Sequence, residues 1–103
     1  MSSIDNELRL ALSTGKVQLG SKVAVRELRR GRARLAIIAS NCPPEVRETI
    51  ENHGKLSNIP VMEHPKNSVD LGILCGKPFP VSVVVINEPG DSKILDLVKE
   101  EDA

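Results

Sequence analysis

The sequence predicts an α/β protein, a three-layer α-β-α sandwich with a small four-stranded mixed sheet and about five helices. Three observations carry that expectation. Helix-type and strand-type patterns alternate along the 103 residues in the order α-β-α-β-α-β-α-β-α. The connections are short, so successive elements pack on one another. Two runs, Leu35-Ala36-Ile37-Ile38-Ala39 and Val81-Ser82-Val83-Val84-Val85-Ile86, are almost continuously apolar, the pattern of strands covered on both faces. Pattern alone leaves the strand order open.

Each element has a local reason. Ile4, Leu8, Ala11 and Leu12 fall on one face of a first helix, with Ser2 or Ser3 available to cap it and Gly15 to end it. Val17 to Leu19 is a short strand. A second helix, from about Ser21 to Arg30, buries Ala24, Val25 and Leu28 and stops at Gly31. Asn41-Cys42-Pro43-Pro44 breaks the strand over 35–39, and its prolines pre-set the first turn of a third helix. Glu45 and Glu48 suit the positive end of that helix, which carries Val46, Ile50 and Leu56 as apolar positions. Ile59-Pro60-Val61-Met62 reads as a brief strand near a sheet edge, since proline cannot donate to a ladder. Ser68 is placed to cap a short helix through Val69, Leu71 and Leu74 that ends at Gly76. Val81–Ile86 is the strongest strand, and Pro89-Gly90-Asp91-Ser92 turns into a last helix with Ile94, Leu95 and Val98 inward.

Length bounds the chain to one domain, residues 1–103, with the order of the acidic end at about 99–103 left open. Aromatics make up 1% of a 40% hydrophobic composition, so the core is aliphatic and Phe79 is the single Phe, Trp or Tyr ring. Cys42 and Cys75 lack paired metal-ligand spacing, which argues against zinc; they read as small space-fillers, and the sequence does not decide whether they pair. Met1 to Asp5 has no signal-peptide pattern, and no apolar run approaches the ~20 residues that cross a bilayer. A soluble, reduced, intracellular protein is the expectation.

Charge is informative through its distribution. The net charge of zero argues against a generic nucleic-acid binder. Residues 16–34, however, hold seven Lys/Arg and one Glu, whereas residues 86–103 hold six acids and two lysines. One basic face and one acidic end follow.

Catalytic patterns are missing. Gly15-x-x-x-x-Gly20-Ser21-Lys22 nearly matches a phosphate loop, but lysine follows the hydroxyl residue instead of preceding it, and a strand fills the place of the open loop. Gly72-x-x-x-Gly76-Lys77-Pro78 is one residue short. His53 and His64 are far apart with no acid-base signature, and Glu45, Glu48 and Glu51 read as surface charges. No enzyme and no cofactor are expected.

Binding features are stronger. Gly20-Ser21-Lys22 opens the second helix, where unpaired N–H groups and the helix dipole favour an anion and the lysine adds a mobile cation. Arg26, Arg29, Arg30, Arg32 and Arg34 follow. Asn41 stands where a buried strand gives way to a helix, a position at which α/β proteins place functional groups, although a turn or cap role is commoner there. Gly76-Lys77-Pro78-Phe79-Pro80-Val81 is a stiff loop whose phenylalanine either anchors the loop on the sheet edge or supports an unstacked base.

Taken together, these residues resemble the kink-turn RNA-binding family of ribosomal proteins, the L-seven-Ae-like family. The matching pieces are Thr14-Gly15-Lys16, Leu19-Gly20-Ser21-Lys22, Arg30-Gly31, Ala39-Ser40-Asn41-Cys42-Pro43 and Leu56-Ser57 before Ile59-Pro60-Val61. Leu71-Gly72, Gly76-Lys77-Pro78-Phe79 and Pro89-Gly90-Asp91-Ser92 complete the ordered set over about residues 8–98. The Pro-Gly-Asp-Ser end favours a branch of archaeal and eukaryotic large-subunit proteins.

The resemblance implies a cytoplasmic, ribosome-associated structural protein that holds a kink-turn of large-subunit ribosomal RNA, with neighbouring ribosomal proteins as further partners. It implies no membrane and no small-molecule substrate. By position, the glycine-started helix enters the groove at tandem G·A pairs. Gly20 then allows close backbone approach, Ser21 beside it belongs to the RNA-binding set, Lys22 meets a base edge or phosphate, and Arg26 holds the backbone. Asn41 bonds a base or sugar, and Phe79-Pro80-Val81 supports a flipped-out nucleotide. Asn52-His53 replaces a frequent Tyr-Tyr pair, and Val46 replaces an arginine found in some members, a change that either weakens affinity or shifts that burden to Arg47. The alternatives are a free-standing kink-turn binder of guide-RNA or messenger-RNA complexes, a protein-interaction module using the acidic Asp91–Asp102 end, and, third, a nucleotide hydrolase.

Overall fold

The computed structural model describes residues 4–97. Its elements run α1 (Ile4–Thr14), β1 (Lys16–Leu19), α2 (Ser21–Arg29), β2 (Leu35–Ile38), α3 (Pro44–Ser57), β3 (Val61–Glu63), α4 (Ser68–Leu74) and β4 (Val83–Glu88). A fifth helix, α5, starts at Ile94 and is described to Leu97. The proposed caps Ser2 and Ser3, inward Val98 and the acidic end at 99–103 lie outside the described residues.

The four strands form one mixed sheet in the order β1-β4-β2-β3. β4 runs antiparallel to both β1 and β2, and β2 runs parallel to β3. The C-terminal ends of β1, β2 and β3 therefore share one end of the sheet with the N-terminal end of β4. That end carries the β1–α2, β2–α3 and α4–β4 junctions.

Strand alternation divides the core into two halves. Leu35, Ile37, Val84 and Ile86 face Leu8, Ala11, Leu71, Leu74 and Ile94, from α1, α4 and α5. Ala36, Ile38, Val83 and Val85 face Ala24, Leu28 and Ile50, from α2 and α3. Helices thus cover both faces, which is why β2 and β4 are apolar without interruption. β3 is an edge strand, where Pro60 immediately before it costs no ladder bond inside the sheet.

Three expectations need correction: the bounds of the strongest strand, the place of Leu56 and the cap of α4. The strongest strand begins and ends two residues later than the apolar run suggests. Val81 N–H is taken by Ser68 C=O at 2.9 Å, which holds that residue off the ladder. Leu56 does not join the core; it is 83% exposed on the outer side of α3. The cap of α4 is Asn67, whose Oδ1 accepts from Asp70 N–H at 2.9 Å, and Ser68 is the first helical residue. Both cysteines are free thiols, Cys42 buried and Cys75 half-buried, and burial pushes both thiols up from their ordinary pKa. Among the described residues, no helix is long and apolar enough to cross a membrane.

Candidate nucleic-acid interface

α2 begins directly off the end of β1, and glycine makes that junction possible. Gly20 is the N-cap with φ +113° and ψ 149°, a conformation that side-chain-bearing residues rarely adopt. Its N–H donates to Val83 C=O at 2.9 Å, so the helix start is pinned to the first residue of β4. No side chain caps α2, and a methyl group at Gly20 would meet nothing within 4 Å. The first-turn N–H groups of an uncapped helix keep their affinity for an anion. Ser21 is half-buried beside this junction, and Lys22 is exposed, with no ion-pair partner among the described residues.

The phenylalanine loop sits beside it because it leads into the same strand, β4. Gly72 explains how the loop is held: a Cβ there would overlap the Phe79 carbonyl oxygen, so the loop backbone lies flush on α4. Phe79 is 52% exposed and Pro80 is exposed. Val81 departs from this expectation. Its side chain is buried among Leu71 and Leu74, so of Phe79, Pro80 and Val81 the first two present side chains to solvent.

Asn41 follows β2 at the same end and is exposed. Its Oδ1 accepts from Ser68 N–H at 2.7 Å, and its Nδ2 donates to Ser68 Oγ at 3.3 Å. The side chain therefore ties the end of β2 to the start of α4, the commoner role for an asparagine at a chain reversal. An amide carries two N–H donors, and one of them is used here.

The cations differ in how committed they are. Arg47, in the first turns of α3, forms a short hydrogen-bonded ion pair with Glu63 and lies 4.0 Å from Glu51. The hydrogen bond to Glu63 raises its pKa above the ordinary arginine value. Arg47 is thus engaged by two carboxylates at the end where Lys22 stands open. Arg26, one turn beyond Lys22, lines a cationic depression with Lys22, Val25, Arg29 and Arg30. A second groove, between α2 and α3, runs from Ser21 and Lys22 over Val25 and Val46 to Glu45 and Thr49. The cavity by Gly54, Asn58 and Ile59 lies at the C-terminal end of α3, away from this surface.

Gly20, Ser21, Lys22, Asn41, Phe79 and Pro80 thus share one end of the molecule, and Arg26 continues that surface along α2. Sequence reasoning missed what lies beneath. Glu27 on α2 is 3% exposed and hydrogen-bonded to Gln18 on β1 and Asn87 on β4. The available signal was an amide inside a very short strand and another near the end of the most apolar one.

The sequence matches the profile of the ribosomal protein L7Ae/L30e/S12e/Gadd45 family over residues 2–96. It is 48% identical over 95 residues to "Large ribosomal subunit protein eL30" of Methanothermobacter thermautotrophicus, covering 92% of this chain and 97% of that protein. The protein of the same name from Saccharolobus solfataricus is 44% identical over 98 residues, with coverages of 95% and 91%. Among solved structures, a protein of unknown function from Bacillus halodurans C superposes with a TM-score of 0.82 at 21% identity. That superposition covers 97% of this chain and 99% of the other, and it speaks for the fold alone. With a matching profile across nearly the whole length and relatives this similar, the chain belongs to the ribosomal protein L7Ae/L30e/S12e/Gadd45 family.

Proposed function

We propose that this protein is a structural constituent of the large ribosomal subunit that binds and stabilises a kink-turn in ribosomal RNA. The observation that supports the reading most is the uncapped, glycine-started helix α2, pinned at 2.9 Å to the strand that the Phe79 loop feeds. One surface then offers an anion-attracting helix start, an open lysine and an exposed aromatic ring. Those are the groups a sharply bent RNA with unstacked bases requires.

In this reading Gly20 and Ser21 let the RNA backbone approach, Lys22 meets a base edge or phosphate, and Arg26 holds the phosphate backbone. Asn41 bonds a base or sugar through its remaining N–H, and Phe79 with Pro80 supports the flipped-out nucleotide. Arg47, held by Glu63 and Glu51, contributes less than Lys22. The role is binding without catalysis. These groups match only the kinked form, so binding draws the RNA from its extended state into that form. Ribosome association in the cytoplasm and contacts with neighbouring ribosomal proteins go with this function.

Fluorescence transfer across a doubly labelled kink-turn tests it. Adding protein raises transfer as the helical arms close, and the midpoint moves to higher protein concentration as salt rises, since each neutralised phosphate releases counterions. A flat response rejects the reading. Co-sedimentation with the large subunit then separates a ribosomal role from a free-standing one.

A further inference from the structure

Under the basic face of α2 lies a polar cluster that sheet packing does not require. Gln18 Nε2 donates to Glu27 Oε1 at 2.6 Å and to Asn87 Oδ1 at 3.1 Å. Asn87 Nδ2 donates to Glu27 Oε1 and to Arg32 C=O, both at 3.3 Å. With its N–H₂ group turned to two oxygens, the Gln18 amide must turn its own oxygen outward. There Oε1 accepts from Arg26 Nη2 at 3.0 Å. Glu27 Oε2 is buried, has no hydrogen-bond partner and lies 3.7 Å from Arg26 Nε. Both contacts fall on one edge of the Arg26 guanidinium.

A buried carboxylate oxygen that lacks a donor is costly, so the placement of Oε2 calls for a reason. Burial raises the pKa of the Glu27 carboxyl, but the hydrogen bond from Gln18, the charges of Arg26 and Arg32 and the Asn87 amide outweigh it and keep the group low and anionic. The guanidinium has five N–H donors in a rigid fork, so engaging one edge leaves the other available. That remaining edge belongs to a side chain 48% exposed, beside Lys22, Arg29 and Arg30.

We propose that Gln18 and Glu27 are positioning residues that hold Arg26 in the orientation in which it meets a backbone phosphate of the bound RNA. The ligand rests on the kink-turn reading above, whereas the orientation of Arg26 belongs to the free protein. Ordering the side chain in advance removes part of the entropic cost of seating it on a phosphate.

A double-mutant cycle with kink-turn RNA tests the proposal, using Arg26→Ala, Gln18→Met, Glu27→Gln and the two pairings with Arg26→Ala. Arg26→Ala weakens binding about 5- to 20-fold and lowers the salt slope by about one phosphate contact. Gln18→Met and Glu27→Gln each weaken binding about 3- to 10-fold with Arg26 present and have no further effect once Arg26 is alanine. Equal losses in both backgrounds, or an unchanged salt slope, reduce the cluster to a stability role and overturn the proposal. Thermal unfolding identifies any variant that fails to fold, and Glu27→Gln, which keeps size and Oε1, then stands in for Gln18→Met.

A second readout needs no RNA. Rotation about the Arg26 Cζ–Nη2 bond is slow in the free protein, where Nη2 donates to Gln18 Oε1, and faster in Gln18→Met; identical rotation in the two overturns the proposal. Wild-type protein that binds no kink-turn removes the phosphate partner and rejects the functional reading itself. A failed cycle on a wild type that binds rejects the positioning alone.

Discussion

At the end of the sheet where α1 hands over to β1 and β4 runs out, Gly15 and Gly90 are pressed against backbone. A Cβ on Gly15 would overlap the Glu88 carbonyl oxygen, and one on Gly90 would overlap Thr14. At the opposite end, Gly20 and Gly76 have positive φ, like Gly90, but nothing lies within 4 Å of where their Cβ would be. Polar side chains close the first end further. Ser92 Oγ donates to Glu7 C=O at 2.6 Å, Glu7 Oε1 accepts from Lys93 N–H at 2.6 Å, and Thr14 Oγ1 accepts from Asp91 N–H at 2.9 Å. Pro89-Gly90-Asp91-Ser92 is therefore a closed latch, whereas the Gly20-Ser21-Lys22 end faces outward. A recognisable motif is not for that reason a ligand site. What a methyl group would meet distinguishes a glycine that closes the fold from one that opens a surface.

That division can be broken by substitution. Gly90→Ala forces both a positive φ of +61° and an overlap with Thr14. We expect a loss of about 3 kcal/mol of stability in urea unfolding, with RNA affinity of the folded fraction unchanged. Phe79→Ala and Lys22→Ala should do the reverse. Each weakens RNA binding by ~1–3 kcal/mol, while stability stays within about 0.5 kcal/mol, because both side chains are exposed. Ser92→Ala removes the Glu7 and Ile94 hydrogen bonds and should cost about 1 kcal/mol of stability, again without touching RNA affinity.

The smallest effect is in acid. The Lys66 hydrogen bond holds the Asp5 carboxyl below the usual carboxylate range, against burial, with His64 adding to the shift. Since the folded pKa lies below the unfolded one, this stabilisation is complete above the unfolded value near pH 4 and fades as pH falls through the folded value. Asp5→Asn should remove that part of the acid slope in thermal melts. The amount is under about 1 kcal/mol, because Lys66 is 42% exposed.

The alternation of helices and strands was legible because the apolar runs over 35–39 and 81–86 are long and bounded by proline and glycine. Boundaries were less so. Val81 belongs to an apolar run, yet it bonds to Ser68 and packs on α4, a tertiary choice invisible to local pattern. Leu56 fits the helical period of α3 but projects beyond the packed face. Buried Glu7, Glu27 and His64 are not legible in local pattern, since each is held by partners distant in sequence. His64 Nε2 faces Asp5 Oδ1 at 2.7 Å, and its Nδ1 accepts from Lys66 N–H at 3.0 Å. For the site, residue types pointed to Gly20, Lys22 and Phe79 one by one. Their meeting at one end depends on β4 inserting between β1 and β2, a non-local pairing that periodicity does not encode.

Amide chemical-shift mapping with kink-turn RNA tests the contrast between the two ends most directly. Perturbations should gather at Gly20–Arg26, Ser40, Asn41 and the 76–82 loop, leaving Thr14–Lys16 and Glu88–Lys93 unmoved. Perturbations centred on the Gly90 latch, or spread evenly over both ends, would contradict it.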